Sequence, residues 1–313
     1  MEQRVVGRSG LRVSRIGLGT LTWGRDTDQH EAGEQLREFV DAGGTLVDTA
    51  DAYGDGAAED VLGTLLGEAV DREELHICTR SGMSWQDGAL RADPSRGAML
   101  AGLDASLTRL GTDHVDVWLA PAWSAEVPLE ETLSALELAA RTGRARYVGF
   151  ANHAGWQLAR AVTLLGPGVP AVAVEAEYSL VQRSVEAEVV PAAGALGVGL
   201  LAWSPLGRGV LTAKYRTGTP ADSRAASPHM SAFVEAYLDA GSRRIVDAVV
   251  TAAEGLGCAP LEVALAWVRD RPGVASILVG ARTAAQLRDS LLCEDLVLPE
   301  EIRSALDEVS SSS

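Results

Sequence analysis

Short apolar runs alternate with amphipathic stretches from one end of this chain to the other, and that alternation constrains the fold more than any other feature. The apolar runs fall at 16–20, 45–48, 75–80, 115–120, 146–151, 172–178, 198–204 and 276–281. Several are near-continuous Val, Ile and Leu, the pattern of a parallel strand covered on both faces. Between and after them, apolar residues recur at helical spacing over 31–42, 58–70, 97–110, 129–141, 155–165, 185–196, 242–256 and 260–269. Eight strands alternating with helices, without a break in composition, predict an α/β fold: a single (β/α)8 TIM barrel occupying 1–313 as one domain. A length of 313 residues suits one such barrel, and 47% hydrophobic content supplies a large core. The competing doubly wound sheet needs a Gly-rich phosphate turn after an early strand. Gly17-Leu-Gly19 lacks the third glycine at the required spacing.

Two segments depart from the plain repeat. Around Arg8-Ser9-Gly10, two short strand patterns within 4–14 predict an N-terminal β-hairpin that caps the bottom of the barrel. After the seventh strand, 206–241 forms a long connection whose centre, Thr217-Gly-Thr-Pro-Ala-Asp-Ser-Arg, is rich in turn residues. A connection of that length at the active face of a barrel reads as a lid or ligand loop.

The balance of charge and cysteine narrows the setting. A net charge of −16 argues against nucleic acid or an anionic membrane surface as partner, leaving a small-molecule substrate. No apolar run approaches the ~20 residues that span a bilayer. Met1-Glu2-Gln3-Arg4 leads straight into a strand pattern, with no secretory signal visible. Cys78, Cys258 and Cys293 are odd in number and scattered, which predicts a reducing, cytoplasmic environment. His30, His76, His114 and His229 show no ligand spacing, so no metal site is expected. No pattern encodes an oligomeric state.

In a (β/α)8 barrel the chemistry is built where the strands end. Asp48, Tyr53, Arg80, Pro121, Asn152, Glu177, Trp203 and Arg282 all stand at or just past predicted strand ends. Four segments carry a resemblance: Asp48-Thr-Ala-Asp-Ala-Tyr53-Gly, Gly149-Phe-Ala-Asn152, Trp203-Ser-Pro-Leu-Gly-Arg-Gly209 and Gly280-Ala-Arg-Thr-Ala-Ala-Gln286-Leu. Together and in that order, they make the chain resemble the aldo-keto reductases over 5–309.

The resemblance implies an extended nicotinamide cofactor, NADP(H), lying across the barrel mouth without a Rossmann domain. Trp203 would stack on the nicotinamide, with Asn152 and Glu175 near its carboxamide. Ser204, Leu206, Gly207, Arg208 and Gly209 would wrap the pyrophosphate, small residues permitting close approach. Gly280, Arg282, Gln286 and Asp289 would meet the adenosine end, where a guanidinium suits a 2′-phosphate. The proton donor would be Tyr53, assisted by a cation paired to Asp48.

At the chemical centre the chain departs from the family pattern. Arg80, in Ile77-Cys-Thr79-Arg80-Ser81, stands where the resemblance places lysine. It remains positive and can fork onto Asp48, but is bulkier. Pro121, ending Val115-Asp-Val-Trp-Leu-Ala-Pro121, stands in place of histidine and offers no side-chain proton. Ala151 replaces serine and Glu175 replaces glutamine. His153 follows Asn152 and is a candidate substitute base, the alternative being a packed residue. Trp23, Trp85 and Trp123 fall on mouth loops, either lining a substrate pocket or packing the rim.

Three functional readings stay open at this point. The first is an NADPH-dependent oxidoreductase acting on a carbonyl or a related imine or enone. The second is a repurposed barrel with lyase or isomerase chemistry. The third is a cofactor-binding regulatory protein, as the potassium-channel beta subunits of the family illustrate.

Overall fold

The computed structural model describes residues 1–313 except 87, 88, 167, 222, 228, 229, 312 and 313, and the side chains of 85–90 are also outside the description. Its centre is a closed barrel of eight parallel strands: β1 Ile16–Gly19, β2 Leu46–Asp48, β3 His76–Arg80, β4 Val115–Ala120, β5 Ala145–Ala151, β6 Ala171–Glu177, β7 Gly199–Trp203 and β8 Val274–Gly280. Each predicted apolar run supplies one strand. β8 pairs with β1, joining Gly280 to Gly19 in register and closing the cylinder. Around it run α1 Gln29–Asp41, α2 Ala57–Leu65, α3 Arg96–Leu110, α4 Leu129–Arg141, α5 Gly155–Leu165, α6 Val189–Leu196, α7 Ser231–Glu235, α8 Ala240–Leu256, α9 Pro260–Arg269, α10 Ala284–Leu291 and α11 Glu300–Ser310.

The period of two along a strand sorts side chains between lumen and helix layer. Leu46, Cys78, Val117, Leu119, Ala173, Leu201 and Leu278 turn inward and pack on one another. The predicted hairpin forms from Gln3–Val5 and Arg12–Ser14, and Val6, Leu11 and Val13 push into the lower end of this same cluster. Gly7, at φ +57, sits so close to the strand ends that a Cβ would lie 2.4 Å from Gly197 O. The Arg8 amide donates to that same carbonyl at 2.7 Å, fixing the plug to the barrel floor.

Some boundaries differ from expectation. The helix read over 58–70 ends at Leu65, because Gly67 takes φ +83 and Leu66 bridges Val70. The stretch read as one helix over 185–196 is a 3₁₀ turn, Ser184–Glu186, followed by α6. A second hairpin, Met83–Gln86 with Ala89–Ala92, follows β3 where no strand was expected. The long connection after β7 contains the 3₁₀ segments Gly207–Thr212 and Arg224–Ala226 and then α7. No single helix among the described residues is long and apolar enough to cross a membrane.

Candidate active site

At the upper end of the lumen the inward positions change character. One step above Leu46, Cys78 and Ala173 on their strands stand Asp48, Arg80 and Glu175. The Arg80 guanidinium lies between the two acids: Nη1 donates to Asp48 Oδ1 at 3.0 Å and to Glu175 Oε2 at 2.7 Å. Nη2 donates to the Tyr53 hydroxyl, and the guanidinium carbon lies 5.1 Å from the Tyr53 ring centre. Asp48, Arg80 and Glu175 are buried, whereas Tyr53 is partly exposed. Four residues from three separate segments thus form one network.

Burial sets the electrostatics. It raises the Asp48 and Glu175 carboxyls above their ordinary values, against the pull of Arg80. Burial also opposes the charge on Arg80, but Asp48 and Glu175 outweigh it and hold the guanidinium firmly protonated. The Tyr53 phenol is pushed well above its usual range, first by burial and then by the two carboxylates, with Arg80 opposing. Asp48, Cys78 and Glu175 each place a donor atom within 4.8 Å of the others. Arg80 contacts both acids of that trio and supplies a positive charge from a side chain.

Asn152, at φ +56, directly follows β5 with both ends of its amide occupied. Its Oδ1 accepts from Trp203 Nε1 at 3.1 Å, and its Nδ2 donates to the Pro121 carbonyl at 3.3 Å. Pro121 therefore contributes a backbone acceptor where its side chain contributes none. His153 is buried, and its Nδ1 donates to Ala151 O at 2.7 Å. A carbonyl only accepts, so the proton sits on Nδ1 and Nε2 carries the lone pair. Burial lowers the imidazole's pKa, keeping the ring neutral. It packs against Phe150 and Trp123, with ring centres 5.1 and 6.2 Å away.

His153, Asn152, Glu177 and Trp203 share the wall of a cavity of about 410 Å³ that extends to Gln182 and Glu188. Neither Tyr53 nor Arg80 lines it, so the structure separates His153's cavity from the Arg80 network.

The turn after β7 is held in left-handed backbone at Ser204 (φ 52), Gly207 (φ 54), Arg208 (φ 58) and Gly209 (φ 95). Such conformations cost a non-glycine residue energy and persist where the surroundings enforce them. A Cβ on Gly207 would lie 2.5 Å from Val181 Cγ2. The Arg208 side chain turns to Glu177, which it grips through Nε at 2.8 Å and Nη2 at 2.6 Å. It also donates to Phe233 O at 2.6 Å and lies 3.8 Å from the Phe233 ring centre. Phe233 runs nearly parallel to Trp203, with centres 6.4 Å apart and planes inclined by 14°. The long connection is thereby fastened over the Trp203 side of the mouth. Leu206 packs partly buried against the main core.

At the far end of this segment, Arg282 and Arg224 line one small cavity with Thr22, Asp26 and Met230. Burial, and secondarily Arg282, press the Arg224 guanidinium below arginine's usual range. Two guanidinia facing one cavity suit an anion. Gln286 Oε1 accepts from the Arg282 amide at 3.0 Å, and Gln286 and Asp289 are exposed on α10. Gly280 leaves room beside Arg224, whose Nη2 would lie 3.5 Å from an added Cβ.

The tryptophans divide. Trp23, expected at the mouth, is fully buried in the core, with Nε1 donating to Gln35 Oε1 at 3.1 Å, so it packs rather than lines a pocket. Trp123 is partly buried, edge-on to Trp156 at 5.1 Å and under Arg160. The Trp85 side chain lies outside the described residues. Sequence reading missed Phe233, Arg224 and Trp156. Phe233 and Arg224 sit in a loop without periodicity, and Trp156 reads as one more residue of an amphipathic helix.

The arrangement fits an anionic dinucleotide. It has a neutral amide and an indole at one end, a tight left-handed turn between, and paired guanidinia at the other. Comparison with known proteins identifies the family. A model of the Aldo/keto reductase family matches residues 15–311. An uncharacterized oxidoreductase of Bacillus subtilis (strain 168), YrpG, is 33% identical, with 99% of this chain and 96% of the relative covered. A probable voltage-gated potassium channel subunit beta of Oryza sativa subsp. japonica is also 33% identical, over 95% of this chain and 92% of its own. L-glyceraldehyde 3-phosphate reductase of Escherichia coli (strain K12) is 34% identical over 93% and 87%. The family match, the oxidoreductase of B. subtilis and the E. coli reductase support an oxidoreductase function. The chain belongs to the aldo/keto reductase family.

Proposed function

We propose that the protein is an NADPH-dependent reductase of small carbonyl compounds or of related imines and enones, with Tyr53 as the proton donor. The observation that carries this reading is the contact of Arg80 with the Tyr53 hydroxyl. A guanidinium only donates, so the phenol oxygen must accept from it, and the phenol's own proton points elsewhere. That polarity leaves Tyr53 free to donate to a substrate oxygen. The raised pKa keeps the phenol protonated across the physiological range, and Arg80 stabilises the phenolate that forms when the proton leaves. Asp48 and Glu175 hold Arg80 in place.

The cofactor would supply the hydride and be held by Asn152, Trp203, the 204–209 turn and Arg282. Arg224 and Arg282 would together meet its 2′-phosphate. Pro121 removes the histidine that would steady the substrate oxygen, which favours substrates needing little help with protonation.

Binding tests this directly. Tryptophan fluorescence of the purified protein should be quenched saturably by NADPH and less tightly by NADH. Arg282→Ala should weaken NADPH by about tenfold, with less effect on NADH. Absence of binding to either nucleotide would remove the reductase reading. The second reading, a cofactor-binding regulatory protein, draws on the clustered departures at Arg80, Pro121, Ala151 and Glu175 and on the channel-subunit relatives. It predicts nucleotide binding without turnover on any carbonyl.

A further inference from the structure

We propose that Glu175 is a positioning residue of the acid–base centre: with Asp48 it clamps the Arg80 guanidinium against Tyr53, rather than gripping the cofactor's carboxamide. This rests on the reading of Tyr53 as acid and assigns Glu175 a different partner from the one its strand position suggests.

The geometry is specific. β6 lies across the lumen from β3, with β4 and β5 between them in the closed order. Glu175 nevertheless reaches Arg80 Nη1 at 2.7 Å, closer than the 3.0 Å contact with Asp48. Its side chain is 1% exposed and that of Arg80 7%. Glu175 pairs in register with Ala151 and Leu201, so the strands on either side offer it no polar side chain at that level.

The chemistry explains why two acids are present. A lysine ammonium is a compact charge that one carboxylate can hold. A guanidinium is planar and forked, with donors that must all be satisfied when buried. Asp48 alone would leave Nη1 held by one carboxyl. A second acceptor from the opposite wall fixes the plane, and the fixed plane places Nη2 on the Tyr53 oxygen. Arginine at the end of β3 and glutamate on β6 are therefore one device, each explaining the other. Either oxygen acceptor, ionised or not, can receive Nη1.

The test compares Glu175→Leu, which removes the acceptor, with Glu175→Gln, which retains one. With NADPH and a reducible aldehyde, Glu175→Leu should lower kcat by about tenfold or more while the Kd for NADPH changes by less than about twofold. Glu175→Gln should keep most of the activity. The opposite split would overturn the proposal: a Glu175→Leu variant that binds NADPH at least about tenfold more weakly but turns over at the normal rate.

Should Glu175→Leu fail to fold, the cycle of Arg80→Lys, Glu175→Met and their double variant, in which the adaptable methionine fills the site without an oxygen acceptor, reads the same contact through thermal midpoints. Midpoint shifts that do not add support the clamp, and additive shifts overturn it. Those midpoints need no turnover. A failure of Tyr53 as acid, seen as full activity in Tyr53→Phe, is thus distinguishable from a failure of the clamp.

Discussion

The two ends of the barrel lumen are built by the same strands with the same alternation, yet they are physically opposite. At the bottom, Leu46, Val117, Leu201 and Leu278 meet the hairpin's Val6, Leu11 and Val13 in an apolar plug. At the top, one step further along the strands, Asp48, Arg80 and Glu175 are just as buried but are ionisable. Burial at the bottom is favourable in itself. At the top it is costly, and it is tolerated because the one guanidinium faces both carboxyls. The comparison teaches that stability and chemistry are divided along the barrel axis, with the hairpin's plug supporting a strained, polar mouth.

The largest effect expected from breaking this division is at the top. Arg80→Ala would leave two buried carboxyls facing each other without a cation, costing ~3–5 kcal/mol as read by urea denaturation. An undiminished midpoint would mean that the network is solvated rather than clamped. A cut at the bottom should separate stability from binding. Leu46→Ala opens a cavity in the plug and should cost ~2–5 kcal/mol, leaving the Kd for NADPH unchanged in a fluorescence titration.

The smallest effect sharpens the comparison through pH. Burial, only partly offset by Arg80 and reinforced by Asp48, raises the Glu175 pKa from 4.5 to about 8. Between those values the folded protein holds a proton that the unfolded chain has released, so this group's contribution to stability falls as pH rises through the window. Asp48 shifts in the same direction. Thermal midpoints taken from about pH 5 to about pH 9 should decline less steeply in Glu175→Gln than in the parent. An identical slope would take Glu175 out of the account.

The bottom of the barrel was legible from the sequence and the top only in part, for physical reasons. Strand runs such as Val115–Ala120 announce themselves because a strand covered on both faces must be apolar throughout. Asp48 and Tyr53 are equally visible, being close in sequence at a strand end. The Arg80–Glu175 contact joins residues 95 apart, and no spacing rule reaches across a lumen. Resemblance pointed Glu175 toward the carboxamide; only its side-chain direction shows it on Arg80. Trp23 misled because a tryptophan beside a strand end looks the same whether it lines a mouth or fills a core. The hairpin Met83–Gln86 with Ala89–Ala92, and Arg224 and Phe233 in the long connection, lacked periodicity to signal them. α10 was read only as a cofactor segment, since its short span carries functional residues over a weak apolar stripe.

One measurement bears most directly on the central claim, that Tyr53 held by Arg80 is the acid of a nicotinamide-dependent reductase. It is the single-turnover rate of aldehyde reduction by the NADPH-loaded protein, compared between the parent and Tyr53→Phe at equal cofactor saturation. The account predicts a loss of ~10²–10⁴-fold with an unchanged Kd for NADPH. Equal rates in the two proteins would contradict it.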